Sequence, residues 1–160
     1  MPQKRPERPG ATLWLDTEFN GFGGQLISLA LVDAEGASVY FALPCDNPVP
    51  WVVENVIPAL GVIPTTRRAA QTMMRLFLHR FERVRIVANW PEDIKHFCAF
   101  MVDGPADCLV TPPLTFDLRM DLTGTAEQST VPHNALQDAI ALRGLYLGRP
   151  PGARSRLPAE

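Results

Sequence analysis

Within its first 43 residues the chain runs through three apolar extended segments whose connections are too short to hold a helix, and acids close the first of them. Thr12-Leu13-Trp14-Leu15-Asp16 carries apolar groups on both faces. A Gly-rich turn (Gly21, Gly23, Gly24) leads to Leu26–Val32, and Ala34-Glu35-Gly36 turns into Ser38–Leu43. Short connections favour neighbouring antiparallel strands, so a meander is expected. From Thr66 to Val84 the spacing becomes helical. Ala70, Met74, Phe77, Phe81 and Val84 form one stripe, and Arg68, Arg75, His79 and Arg83 lie roughly opposite. Arg85–Ala88 reads as a short buried strand, a helix follows Asn89-Trp90-Pro91, Leu114–Leu118 reads as a fifth strand, and a last helix spans roughly 134 to 147. Strands first and helices interleaved later predict an α/β fold with a mixed five-stranded sheet flanked by helices.

The 160 residues suit one domain, expected over 11–148, with loose Pro- and Gly-rich termini at 1–10 and 149–160. A net charge of −2 argues against coating nucleic acid or anionic membrane by bulk charge, so any phosphate binding must be local or metal-mediated. No stretch approaches the roughly 18 to 20 apolar residues of a membrane span, and MPQKRPERPG does not lead into a signal-peptide core. The expected compartment is the cytoplasm. Cys45, Cys98 and Cys108 are odd in number and form no C-x-x-C pair, which predicts reduced, buried thiols and not a disulfide or zinc framework.

Asp16 and Glu18 stand two apart. In extended chain such residues share a face at about 6.5 to 7 Å and can reach one hard cation, although a solvated strand end has the same pattern. Asn134 and Gln137 have the spacing of a capping box, which makes His133 the residue before the cap and Asp138 the fourth of the helix. Those two positions approach each other at a helix start, and here they carry an imidazole and a carboxylate. A plain capping loop with an exposed His would read the same. Asp93 follows a buried strand, with Pro91 suited to the first turn and Glu92 and Asp93 to the positive end of a helix dipole. Each acid thus sits at the end of a strand or the start of a helix, where elements converge at one sheet edge.

These residues resemble the DEDDh 3′–5′ exonucleases of the DnaQ-like, ribonuclease H-like fold. Leu15-Asp16-Thr17-Glu18-Phe19 is similar to the family's first motif, Asn89 to Asp93 to its N-x-x-x-D motif, and His133-Asn134-Ala135-Leu136-Gln137-Asp138 to its H-x-A-x-x-D motif. The Asp-Thr-Glu-Phe start and Trp51-Val52…Ile57-Pro58-Ala59-Leu60 are most similar to small bacterial ribonuclease AS-like and ribonuclease T-like exoribonucleases. The sequence departs from the family at Glu92, a position often Phe in relatives, and at Pro91. The resemblance implies two divalent cations, Mg²⁺ or Mn²⁺, held by Asp16, Glu18, Asp93 and Asp138, with His133 as general base. It implies hydrolysis at the 3′ end of single-stranded nucleic acid, RNA before DNA, release of 5′-mononucleotides, and a homodimer.

Phe19 directly follows Glu18, and by resemblance would wedge between terminal bases; core packing is the other reading. Trp90 could stack on a base or cover the helix start. Asn20 and Phe22 border the Gly-rich turn, where backbone amides could approach the terminal sugar. The basic face of the 66–84 helix could steer a strand or be solvated. An Asp93/His96 metal pair is conceivable, but leaves Asp16, Glu18 and His133 unexplained. The rival functions are a DNA-directed exonuclease and a noncatalytic nucleic-acid-binding module on the same fold.

Overall fold

The computed structural model describes residues 9–148, so most of the two expected loose termini, 1–8 and 149–160, lies outside the described residues. Pro9 and Gly10 do not fit that expectation, because the Pro9 carbonyl accepts from Glu82 N at 3.1 Å and Gly10 leads directly into the first strand.

The strands are β1 (Ala11–Phe19), β2 (Leu26–Val32), β3 (Ser38–Ala42), β4 (Val84–Ala88), β5 (Val102–Gly104), β6 (Asp107–Cys108) and β7 (Leu114–Leu118). The helices are α1 (Pro50–Asn55), α2 (Arg67–Leu78), α3 (Pro91–Met101), α4 (Thr125–Gln128) and α5 (Ala135–Gly148), with a 3-10 turn at Ile57–Ala59. Five strands form one mixed sheet in the order β3-β2-β1-β4-β7. The expected meander is present: β1 pairs antiparallel with β2, and β2 with β3. β4 then lies parallel to β1, and β7 parallel to β4, each reached by a crossover containing helix. β5 and β6 form a separate small hairpin, which the sequence pattern does not announce.

Alternation along β1 sorts its side chains between two layers. Leu13 and Leu15 join the core beneath α2 and α3, with Met74, Leu78, Ile86, Phe97 and Phe100. Trp14 faces the other way into the core of α5, where its ring meets Tyr146 edge-on at 5.4 Å. A third small core gathers Ile27, Ala42, Val52, Val56 and Leu60 beneath the segment containing α1.

The helix expected over 66–84 ends at Leu78. Thr66 caps its start through Ala69 N, and its end closes in turns as Arg80 N and Phe81 N bond to the carbonyls of Phe77 and Leu78. Apolar spacing continued past the true end because Phe81 packs from the loop and Val84 from β4 into the same core. Arg68 and Arg75 are exposed, as the amphipathic pattern requires. The three cysteines are unpaired, but Cys98 and Cys108 are exposed and Cys45 half-buried, because α3 turns Cys98 outward and β6 has no covering layer. Among the described residues no helix is long and apolar enough to cross a membrane.

Candidate metal centre

β1 places Asp16 and Glu18 on the α5 face of the sheet at its C-terminal end, and Thr17 on the α3 face. The strand continues past Asp16 to Phe19, so both acids stand in regular ladder positions, opposite Ala30 and Ser28 of β2. A register shift falls between Glu18 and Phe19, where the pairing ends.

Asp138 reaches this pair from the first turn of α5. Asn134 Oδ1 accepts from Gln137 N at 3.1 Å, which makes Asn134 the cap. The reciprocal half of the capping box does not form, because Gln137 Oε1 accepts instead from Thr130 Oγ1 at 2.7 Å. The expected approach of residue 133 to Asp138 occurs through the backbone: His133 N donates to Asp138 Oδ2 at 3.1 Å. His133 adopts φ 65°, a left-handed conformation uncommon outside Gly and Asn, and its ring stands edge-on to Trp51 at 4.9 Å. One oxygen from each of Asp16, Glu18 and Asp138 lies within 4.8 Å of the others, the grouping of three metal-ligand side chains found among the described residues.

Asp93 adjoins the three from the other layer. It lies in the first turn of α3 behind Pro91 and is only 3% exposed. Its Oδ1 accepts from Thr17 Oγ1 at 2.6 Å and from Thr17 N at 3.2 Å. The residue between the two strand acids therefore holds the third acid, a link that i, i+2 spacing does not reveal. Asn89 fastens the preceding loop, donating to Leu122 O and Thr125 Oγ1, both at 2.9 Å.

Four carboxylates in one buried place repel. Burial first, then Asp93, Glu18 and Asp138, pushes Asp16 well above the usual carboxylate range. Burial, followed by the charges of Asp138 and Asp93, moves Glu18 up to about 8. Burial raises Asp93 to about 7 against the opposing pull of its two Thr17 hydrogen bonds. Burial also raises Asp138, while Ser129, the His133 amide and Glu18 pull it down. Without a counter-charge, burial and mutual repulsion favour the protonated forms of these carboxyls.

Two carboxylate atoms in it, Asp16 Oδ2 and Asp138 Oδ1, are sealed from solvent and lack any hydrogen-bond partner, even though Asp16 as a whole retains some exposure. Ser28 Oγ, near Tyr40, and Ser129 Oγ, near Asp138, are close enough to lower the pKa of those neighbours but complete no hydrogen bond of good geometry. Buried acceptors are costly unless something satisfies them. Hard oxygen donors, mutual repulsion and orphaned buried oxygens together fit a divalent cation such as Mg²⁺ or Mn²⁺.

Beside the acids opens a cleft of about 370 Å³, lined by Asp16, Glu18, Phe19, Phe22, Trp51, Asn89, Trp90 and Asp93, among others. Phe22 is 100% exposed, Trp90 53% and Trp51 52%, so three large aromatic side chains face solvent around one acidic recess. Phe19 lines the cleft and also stacks on His96 at 4.6 Å, half-buried and outside the core clusters. His96 is committed to that stack and is not in the acid grouping. Trp90 approaches Glu92 at 3.4 Å through Nε1 and leaves its ring open. The side-chain amide of Asn20 is engaged within the protein, accepting from Val49 N at 2.8 Å and donating to Asn47 O at 3.1 Å. Trp51, Thr17 and Asn134 stand within the quoted motifs, but the sequence reading gave them no part in the site beyond the capping role of Asn134. No protein-family model matches the chain, and no curated protein is significantly similar to it.

Proposed function

We propose that this chain is a metal-dependent 3′–5′ exonuclease of the DEDDh type on a ribonuclease H-like fold, acting on single-stranded RNA in preference to DNA. The observation that carries the reading is the convergence of Asp16, Glu18 and Asp138 from residues over a hundred positions apart, with Asp93 and His133 adjoining and two carboxylate oxygens left without partners. The sheet order, with an antiparallel meander followed by two parallel strands, supports the fold assignment.

Asp16, Glu18 and Asp138 would hold one divalent cation, and Asp16 with Asp93 would hold a second. Such ions supply charge neutralisation at a phosphodiester and acidify a bound water. The chain's own residues do the rest. His133 takes the proton from the attacking water, its ring oriented by Trp51 on one side and its backbone fixed by Asp138 on the other. Thr17 holds Asp93 in place. Phe19, Phe22, Trp51 and Trp90 present stacking surfaces that accept any base, which suits a substrate chosen for its free end and not for its sequence. The product is a 5′-mononucleotide. The working unit is a homodimer in the cytoplasm.

Incubation with matched 5′-labelled RNA and DNA strands in Mg²⁺ or Mn²⁺ tests this reading. The expected result is a ladder shortening from the 3′ end, faster on RNA, abolished by chelator and by Asp16→Ala. Binding of the strand without any shortening would leave a noncatalytic module in its place.

A further inference from the structure

Residues 47–60 contribute Trp51 to the cleft wall and are tied down at both ends. At the start, Asn20 bonds to Asn47 O and Val49 N through its side-chain amide. At the finish, Asn134 Nδ2 donates to Ala59 O at 2.8 Å and to Leu60 O at 3.2 Å, and the Tyr40 hydroxyl donates to the same Leu60 carbonyl at 2.7 Å. Between the ties only Val52 and Val56 are buried from this stretch, with Leu60 at its end, so apolar packing alone holds it lightly. The Ala59 and Leu60 carbonyls lie where a short helical segment runs out, and unpaired carbonyls there need donors.

Asn134 is buried, and its two amide atoms serve different elements. Oδ1 caps α5, the helix bearing Asp138, and Nδ2 grips the strap bearing Trp51. The residue before it, His133, sits in the left-handed turn against the Trp51 ring. We propose that Asn134, with Tyr40, latches a strap over residues 47–60 and thereby sets Trp51 against His133, making Asn134 a positioning residue for substrate engagement. The latch stands on the hydrogen bonds; its benefit to substrate rests on the exonuclease reading.

Asn134→Ser separates the two jobs, since Ser is a good cap but lacks the Nδ2 donor. Tyr40→Phe removes the second donor, along with the neighbour of Ser28 Oγ, and keeps the ring. Hydrogen–deuterium exchange followed by mass spectrometry on the full chain reads the latch directly. Exchange over residues 50–60 is expected to rise about fivefold in Tyr40→Phe, which loses one hydrogen bond, and at least as much in Asn134→Ser, which loses two, with α5 unchanged. On a 5′-labelled heptaribonucleotide in Mg²⁺, KM is expected to rise roughly tenfold while kcat stays within about twofold. Unchanged exchange over the strap in both variants overturns the latch. A loosened strap with kcat falling at constant KM overturns the role in substrate engagement. If the unaltered chain cleaves nothing, the exonuclease reading fails, while strap exchange still decides the latch.

Discussion

Thr17 shows how much a single side chain between two acids can settle. Its hydroxyl and amide together hold Asp93, so Thr17→Val, which keeps the shape, removes one hydrogen bond to a buried carboxylate. A stability loss of about 1 to 2 kcal/mol is expected in a denaturant titration. Because that bond holds the Asp93 pKa down in the metal-free protein, its loss raises it further there. The acids make a second prediction, for the metal-free protein. Glu18 rises from 4.5 to about 8 on folding, so the folded state keeps the proton: the stabilisation is complete below the lower value and is lost as pH climbs through the upper one. Asp93, rising from 3.8 to about 7, has the same sign. The thermal midpoint without metal should therefore fall between pH about 5 and 8, and saturating Mg²⁺ should flatten that slope by favouring the charged carboxylates. Phe22 is fully exposed, so Phe22→Ala should leave the midpoint unmoved while raising KM for RNA roughly tenfold, the worth of one stacked base.

Among the elements, the turn between β1 and β2 carries the tightest backbone requirement. A Cβ at Gly24 would collide with the backbone carbonyl of Asn20, whereas at Gly23 it would meet nothing. Gly24→Ala must displace the turn, and with it Phe22, so both stability and KM should suffer. Gly23→Ala meets only its left-handed φ of 72° and should cost about 1 to 2 kcal/mol, with KM retained. Thermal unfolding and RNA kinetics on the pair distinguish a steric from a purely conformational need for glycine. The elements were legible where period and punctuation agreed. Pro91 and the acids after it marked the start of α3, and the apolar run of Leu13, Trp14 and Leu15, with apolar groups on both faces, marked β1. The end of α2 was hidden, because Phe81 and Val84 keep the helical spacing while serving the same core from a loop and a strand. The β5–β6 hairpin was hidden too, being short and largely exposed with no apolar alternation to announce it.

At the scale of the whole molecule, three separated segments meet because the end of β1 and the starts of α3 and α5 bring their acids to one place on the sheet. The sequence alone put Asp16, Glu18, Asp93, His133 and Asp138 forward as candidates, although β1 runs on past Asp16 instead of ending there. Their division of labour could not be read from it. Which acids share a recess, which is held by Thr17, and which side chains knit α1 to α5 depend on contacts across 70 or more positions, such as Asn134 with Ala59 and Thr17 with Asp93. Asn20 shows the same limit: that its side-chain amide ties down the strap at Asn47 and Val49 cannot be read from the glycine turn it borders. The central claim is that the converged carboxylates form a divalent-cation site, and calorimetric titration of Mn²⁺ into metal-free protein tests it most directly. Saturable binding near neutral pH, lost in Asp16→Asn and retained in Phe22→Ala, is the result expected. Absence of binding, or equal binding by Asp16→Asn, would contradict the account.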